Sequence, residues 1–403
     1  MNKELPRLEV DIESSSFVRD PFPIYAQMRR DFPVCEIENR GQRRVFVTRY
    51  EDSKAVLSDH DSFRSASDVI AKPKGIEDRY KRDLFVLTMD PPEHTRYRSL
   101  VAKAFVPKVL VALEPFVTSV AEDLVENVLR KNSVDFLSAF SLPYTVAVIG
   151  QITGDTSQTV EDLRYWTELV DRNSDAVQEP EHAKALEAAT AKQYSIYERI
   201  IAERRSNSRD DLISELLKVE IDGEKLTELN IRSALDLFVS AGFQSSAQTL
   251  TNAVYLLGKY PETFRTLKAH PDKIAPFVDE VLRFLSPAHS LLRRASRDTE
   301  INGVRVPANS LISVVLASAN RDERRFENPE IFDIDRPDIK KQIGFGHGVH
   351  TCIGASLARL EVTIAIRCIV KHFNSVECAD DENLEWFSTL IIRALHSLPV
   401  AFE

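Results

Sequence analysis

Glycine and cysteine are both scarce in this chain. Only twelve glycines occur in 403 residues, and there is no internal repeat or low-complexity tract. Four cysteines, Cys35, Cys352, Cys368 and Cys378, stand at wide and irregular spacing. That pattern excludes a disulfide framework and an iron–sulfur cluster motif, and it fits a reducing compartment. No apolar run opens the chain. Met1 to Ser16 is polar and acidic, so neither a secretion signal nor a membrane anchor is expected, and the expected location is the cytoplasm. Positive charge is not in excess: 52 Lys and Arg against 62 Asp and Glu give −10, which speaks against nucleic acid as a main partner. No Gly-x-Gly-x-x-Gly follows a strand pattern, so a flavin module is absent. With 43% hydrophobic and 28% charged residues, the chain has the composition of a folded globular protein.

Against that scarcity, four of the twelve glycines fall within the stretch Ile343 to Gly354. Glycine accepts backbone angles closed to other residues and lets a backbone approach a ligand closely. A loop of this kind, with Cys352 near its end, suits a thiol held rigidly against something flat or bulky. A helical pattern starts at Ala355, so Cys352 precedes a helix N-terminus, where the macrodipole and free N–H groups favour thiolate over thiol. An inert cysteine in a glycine turn is the plainest alternative. A zinc site from His347, His350 and Cys352 is another, although no second ligand pair stands at finger-like spacing.

The order Phe345-Gly346-x-Gly348-x-His350-x-Cys352-x-Gly354 resembles the haem-ligand loop of the cytochrome P450 family, the haem–thiolate monooxygenases, at every fixed position. A cysteine thiolate pushes electron density onto haem iron and favours O–O cleavage. The resemblance covers nearly the entire chain. It implies a mainly α fold with small β-sheets, residues 1–403 as a single domain, and haem b between a long central helix and the cysteine loop. Cys352 would ligate iron, Phe345 would shield the thiolate side, and Gly346 and Gly354 would shape the loop.

Pro23 to Phe32 reads as a short amphipathic helix. Val34–Glu38 and Arg43–Thr48 read as a hairpin across Asn39-Arg40-Gly41, and Glu51–Leu57 as a helix. Phe63 to Leu87 has no clear period and resembles the family's lid over the substrate pocket. In Asp90-Pro91-Pro92-Glu93-His94-Thr95-Arg96-Tyr97-Arg98 the prolines start a helix, and His94 and Arg98 share one face. The resemblance makes both ligands of a haem propionate, with Arg293 and His350; Arg294 is the rival of Arg293. Val106–Ile152 and Thr159–Arg205 read as successive helices with a polar break at 171–181.

Leu229 to Leu257 is a long apolar pattern stopped by Gly258 to Pro261. Its middle is polar, from Ala241 and Gly242 through Gln244, Ser245 and Ser246 to Thr249. Hydroxyl residues after a glycine weaken the helical ladder and can open a kink. The stretch resembles the family's oxygen-binding groove with two departures: Gln244 stands where an acid is usual, and Ser245 where threonine is usual. Glutamine cannot ionise, so protons would travel by Ser245, Ser246, Gln248 and held water. Glu280 and Arg283 on a helix from Ile274 to Leu285, with Arg336, resemble the family's buried structural network. Thr299–Val306 and Leu311–Leu316 read as strands, Asn328–Pro337 as a meander, Ser356–Phe373 as a helix, and Leu384–Pro399 as a hairpin with its tip at Leu390 and Ile391. Phe85, Leu87, Phe238, Ala241, Ala288, His289, Leu291 and Ile391 are the expected pocket residues, mostly apolar with His289 as one polar handle.

By resemblance, the chain inserts one oxygen atom from O2 into a small organic substrate, as a natural-product hydroxylation or epoxidation. A polyketide, terpenoid, fatty acid or peptide would suit the pocket equally. Electrons would come from a ferredoxin with its reductase, or from a flavodoxin, docking at Lys103, Lys108, Arg359 and Arg367. A monomer without nucleic-acid or membrane partners is expected. The Gln244–Ser245 pair motivates two alternatives: a peroxide-driven or atypical oxidation (desaturation, coupling or C–C cleavage), and a non-catalytic haem-binding sensor.

Overall fold

The computed structural model describes residues 3–39, 41–65, 85–155, 157–172, 180–209, 211–221, 224–389 and 391–403. Helices carry most of them. Those that frame the site are α1 (Phe22–Asp31), α2 (Tyr50–Ser58), α3 (Glu93–Val101), α4 (Pro107–Leu129), α5 (Leu142–Thr153), α6 (Val160–Arg172), α7 (Pro180–Ser206), α8 (Glu228–Lys259), α9 (Ile274–Phe284) and α10 (Ala355–His372).

The long helix α8 begins at a capping box. Asn230 N donates to the Thr227 hydroxyl and Thr227 N to the Asn230 side chain, each at 3.2 Å. It stops where Pro261 pushes Tyr260 out of the helical region. Its 32 residues span about 48 Å at roughly 1.5 Å per residue.

β1 (Arg7–Leu8), β2 (Val34–Asn39), β3 (Gln42–Val47), β4 (Phe63–Ser65), β5 (Leu291–Ala295) and β6 (Leu311–Val314) form one sheet in the order β1-β2-β3-β6-β5-β4. β3 and β6 run parallel, joining residues from opposite ends of the sequence, with Val45 opposite Ile312. β4 pairs antiparallel with β5 and sets Ser65 opposite Arg293 and Arg64 opposite Arg294. Because side chains alternate along a strand, Ser65 and Arg293 share one face of this pair and Arg64 and Arg294 the other. A late hairpin joins β7 (Trp386–Ser388) to β8 (Arg393–Leu395).

Two large apolar clusters meet on α8. Its C-terminal half, from Leu250, packs with α4, α5, α9 and α10. Its N-terminal half, up to Ala247, packs with α6, α7 and Val86. The polar stretch from Gln244 to Thr249 lies at this changeover.

The architecture is mainly α with small sheets, as expected, and several local readings are corrected. The strand from Leu311 ends at Val314, and Leu316–Ala319 is a short helix. Phe63–Leu87 is not all loop, since β4 opens it and a single 3-10 turn, Phe85–Leu87, closes it. The lid reading for 66–84 and most of the break at 171–181 lie outside the described residues, as do Leu390 and the side chains of Phe85 and Lys103. No described helix is long and apolar enough to cross a membrane.

Candidate active site

The cysteine loop folds back on itself. Gly346 N donates to Ile343 O and Cys352 N to Phe345 O, both at 2.8 Å. Gly346 and Gly348 each hold φ at +74°, a region that a Cβ resists. A Cβ on Gly348 would run into the carbonyl oxygen of Leu57 at the end of α2, and one on Gly346 would stand 3.1 Å from Leu291 Cδ1. The loop is thus pressed against elements from the start of the chain and from β5.

Cys352 is accessible to solvent yet closely surrounded by protein. That crowding is the largest influence on its thiol and raises its pKa. The N–H groups of Gly354 and Ala355 and the guanidinium groups of Arg98 and Arg359 pull downward without prevailing. The helix N-terminus alone therefore does not deliver the expected thiolate. A coordinated metal ion deprotonates a thiol outright. Arg359 also lies 4.7 Å over the Phe345 ring and pairs with Asp279 at 2.9 Å.

Beside the loop stands an unfinished polar cluster. The rings of His94, on α3, and His350 are 4.1 Å apart. Arg98 donates to Thr351 O, and Ser65 Oγ lies 3.2 Å from His350 Nε2. Both ring nitrogens of His94 and Nη2 of Arg293 are buried without a hydrogen-bond partner. Each unmet buried group costs about 1–3 kcal/mol. Burial first, and then neighbouring cations, lower His350 to about 3 and also lower His94, while burial alone, opposed by Asp90, lowers Arg293 to about 10. His94 and His350 are therefore neutral within the protein itself. An anionic ligand with carboxylates would meet these unpaired nitrogens and reverse the bias, so the residues present fit the two propionates of haem. Among the described residues, no group of three or more His, Cys, Asp or Glu is placed to hold a metal ion, which removes support from the zinc alternative.

Helix α8 runs unbroken through its polar stretch, and the hydroxyls there bond back along it: Ser245 Oγ to Ala241 O at 2.6 Å, and Thr249 Oγ1 to Ser245 O at 2.7 Å. Ala241 is exposed and Ser245 half-buried amid buried neighbours, so one strip of α8 faces open space. Gly242 faces Ile149 of α5. Gln244 points elsewhere, its Nε2 donating to Thr167 Oγ1 of α6 at 3.0 Å. Gln248 is tied to both backbone groups of Leu395.

Sequence reasoning missed Glu361. It sits on α10, fully buried, with Oε2 lacking a hydrogen-bond partner. Burial pushes its carboxyl up to about 8, and the adjacent Ser246 hydroxyl only partly offsets this. A signal was available, since Glu361 is a lone acid in the buried stripe Leu357, Glu361, Ala365.

Glu280, Arg283 and Arg336 do meet. Arg283 forks onto Glu280 with two contacts of 2.7 Å, and Arg336 Nε lies 3.5 Å from Glu280 Oε1. Their remaining donors reach backbone carbonyls of Asn320, Pro329 and Ile331 before the cysteine loop. The expected pocket set is less united. Phe238 meets Phe105 in a tilted ring contact at 5.3 Å, Leu291 backs the loop at Gly346, Ala288 bridges to Ile392, and Ile391 packs on Leu292 and Leu311. Leu87 is exposed. His289 is not a pocket handle. Its ring turns into the core against Phe22 and Tyr25 of α1, and burial lowers it to about 3. In the expected basic dock, Arg359 is paired with Asp279 and Arg367 lies 3.7 Å from Glu114, so two of its four charges are shared with acids.

Comparison with known proteins agrees with this geometry. The family description "Cytochrome P450" matches residues 17–276 and 274–397. The 6-deoxyerythronolide B hydroxylase of Saccharopolyspora erythraea is 30% identical over 407 residues, covering 98% of each chain. Cytochrome P450 CYP109Q5 from Chondromyces apiculatus superposes with a TM-score of 0.88 at 32% identity, covering 98% of both chains. P450BioI, solved in complex with hexadec-9Z-enoic acid ligated acyl carrier protein, gives 0.88 at 30% identity, covering 96% of this chain and all of that one.

Proposed function

The chain belongs to the cytochrome P450 family and is a haem-dependent monooxygenase, and we propose that Cys352 supplies its thiolate ligand while His94, Arg98, Arg293 and His350 hold the propionates of a haem b. The observation that carries this reading is the set of buried, unmet nitrogens on His94 and Arg293, gathered around His350 two residues before Cys352. When bound, the haem supplies O2 activation and transfer of one oxygen atom to an organic substrate. Replacing Cys352 by alanine should abolish the thiolate signature of the reduced carbon monoxide complex. A variant spectrum identical to that of the wild type refutes the assignment.

Glu361 is the proton store. Its carboxyl is protonated up to about pH 8, so at neutral pH it has a proton to give. The Ser246 hydroxyl lies beside it and, on taking this proton, would release its own to held water, which would carry it to the open strip where Ser245 rests its hydroxyl on Ala241 O; solvent would return a proton to Glu361. Gln244 takes no proton and orients Thr167 instead. This arrangement replaces the acid expected on α8 with one on α10. Phe345 covers the thiolate side beneath Arg359, and Gly346, Gly348 and Gly354 let the loop backbone come close. Glu280, Arg283 and Arg336 brace that loop without touching substrate.

Residues 1–403 act as one domain and one monomer in the cytoplasm. The substrate is an apolar natural-product molecule, received against Phe238, Ala241, Ala288, Leu291 and Ile391. One relative is seen with an acyl carrier protein, and delivery of the substrate on such a carrier is compatible with this pocket. Electrons come from a ferredoxin or flavodoxin that meets Lys108, Arg359 and Arg367.

A further inference from the structure

Three buried amides stand one turn apart along α8, at Gln244, Gln248 and Asn252. Residues four apart share one helix face, so the three form a row, and each is bonded to a different element. Gln244 Nε2 donates to Thr167 Oγ1 of α6 at 3.0 Å, Gln248 Nε2 to Leu395 O of β8 at 3.0 Å, and Asn252 Nδ2 to Leu285 O, just past α9, at 2.8 Å. We propose that this row sets the shape of the substrate pocket and so determines which substrates fit, with Gln244, Gln248 and Asn252 as positioning residues that do not touch substrate.

A buried amide is costly unless its bonds are met, and an apolar residue would serve at these positions if packing alone were needed. Asn252 even keeps Oδ1 buried without a hydrogen-bond partner among the described residues. The bonds that are made are specific. Gln248 has a donor and an acceptor and uses both on one residue, since Leu395 N donates back to its Oε1 at 3.1 Å. It thereby takes the place of a neighbouring strand beside β8, in a sheet of only two strands, which is marginal by itself. The Thr167 hydroxyl donates to Leu163 O at 2.8 Å. That leaves it an acceptor towards Gln244 and calls for an amide there rather than a carboxylate.

The elements held in this way carry the pocket residues. The hairpin tip and the 287–289 stretch are bonded together, His289 N to Ile391 O at 2.7 Å and Arg393 N to Pro287 O at 2.9 Å. Gln248 and Asn252 therefore suspend one connected wall, bearing Ala288, Leu291 and Ile391, from successive turns of α8. Gln244 holds α6, whose Leu163 and Trp166 belong to the same apolar cluster as Phe238. Between α6 and the hairpin is a cavity of about 30 Å3, the room of one water, lined by Arg164, Glu168, Gln244, Gln248, Phe387 and His396 among others. The two walls do not close on each other there, and the amides fix their spacing. Sites keep their geometry when the supporting side chains are themselves locked by hydrogen bonds.

Resting as it does on the pocket residues proposed above, this role is tested by spectral titration of the haem-loaded protein with imidazole, 1-(biphenyl-3-yl)imidazole and 1-(biphenyl-4-yl)imidazole, whose azole nitrogen binds the iron. The two isomers are equal in size and differ in the direction of the outer ring, so a fixed pocket separates them. The wild type should favour one by at least about tenfold, and Gln248→Met and Asn252→Leu should each narrow that ratio to about threefold or less. Imidazole, too small to reach the walls, should bind every variant within about twofold of the wild type. Thr251→Val removes an equally buried bond of α8, from Thr251 Oγ1 to Ser141 Oγ at 2.9 Å, which involves none of the pocket residues, and should keep the wild-type ratio. Gln244→Met puts the same question at α6 should Gln248→Met not retain haem. A wild type that does not separate the isomers, an unchanged ratio in Gln248→Met or Gln244→Met, an equal change for imidazole, or the same narrowing in Thr251→Val would overturn the role. The reduced carbon monoxide spectrum of each variant should match the wild type, whereas a wild type without the thiolate signature would refute the haem reading instead.

Discussion

Substituting glutamine for Glu361 isolates the electrostatics of one buried carboxyl. In the unfolded chain the group ionises near 4.5, and in the fold only at about 8. The unfolded state therefore releases this proton first, and wild-type stability falls as pH rises through that window. At 1.36 kcal/mol per pH unit, the loss accumulates to roughly 5 kcal/mol as an order-of-magnitude ceiling. Glutamine occupies the same shape and carries no such term. The variant should match the wild type near pH 4.5, gain on it steadily above that, and stop gaining above about pH 8. Urea unfolding midpoints of both haem-loaded proteins across this range provide the measurement, and the difference between them cancels every other titrating group. A constant difference from pH 5 to 9 would refute the raised carboxyl, and with it the role of Glu361 as proton store. The same variant should form less product per electron consumed at neutral pH, because the store is gone.

Gly348→Ala should destabilise the cysteine loop by at least about 2 kcal/mol, from the left-handed φ and the Leu57 carbonyl together; loss of haem during gel filtration reads this out. Glu280→Ala strands Arg283 without its buried partner and should cost about 3–5 kcal/mol, visible as a fall in melting temperature. Ser245→Ala should leave substrate binding unchanged while more of the consumed O2 appears as hydrogen peroxide, measured with a peroxide probe.

Much of the fold was legible because its signals were local. The apolar run of α8, its proline stop, the hairpin at Gly41 and the glycine loop each announce themselves within a few residues. The site was legible where residue order alone carries chemistry, as around Cys352 and His94. It was not legible where the chemistry depends on which way a side chain turns. His289 looks like a polar residue among pocket positions, yet the backbone of the 288–292 stretch aims it at Tyr25. Gln244 occupies the position of an acid, but Thr167 from another helix claims its amide. Protonation was hidden for a similar reason. A helix N-terminus argues for a thiolate at Cys352, and only the surrounding protein reveals that desolvation outweighs it. β4 was missed because three residues, Phe63–Ser65, are too few to show alternation.

The seat of the cysteine loop is assembled from widely separated stretches. Ser65 reaches His350 across 285 positions, and Gly348 is moulded to the end of α2. On the ribosome, the elements that receive the prosthetic group emerge early and must wait for the cysteine to be translated. Capture of that group is consequently a late event, and a nascent chain interrupted before residue 352 has no means of keeping it.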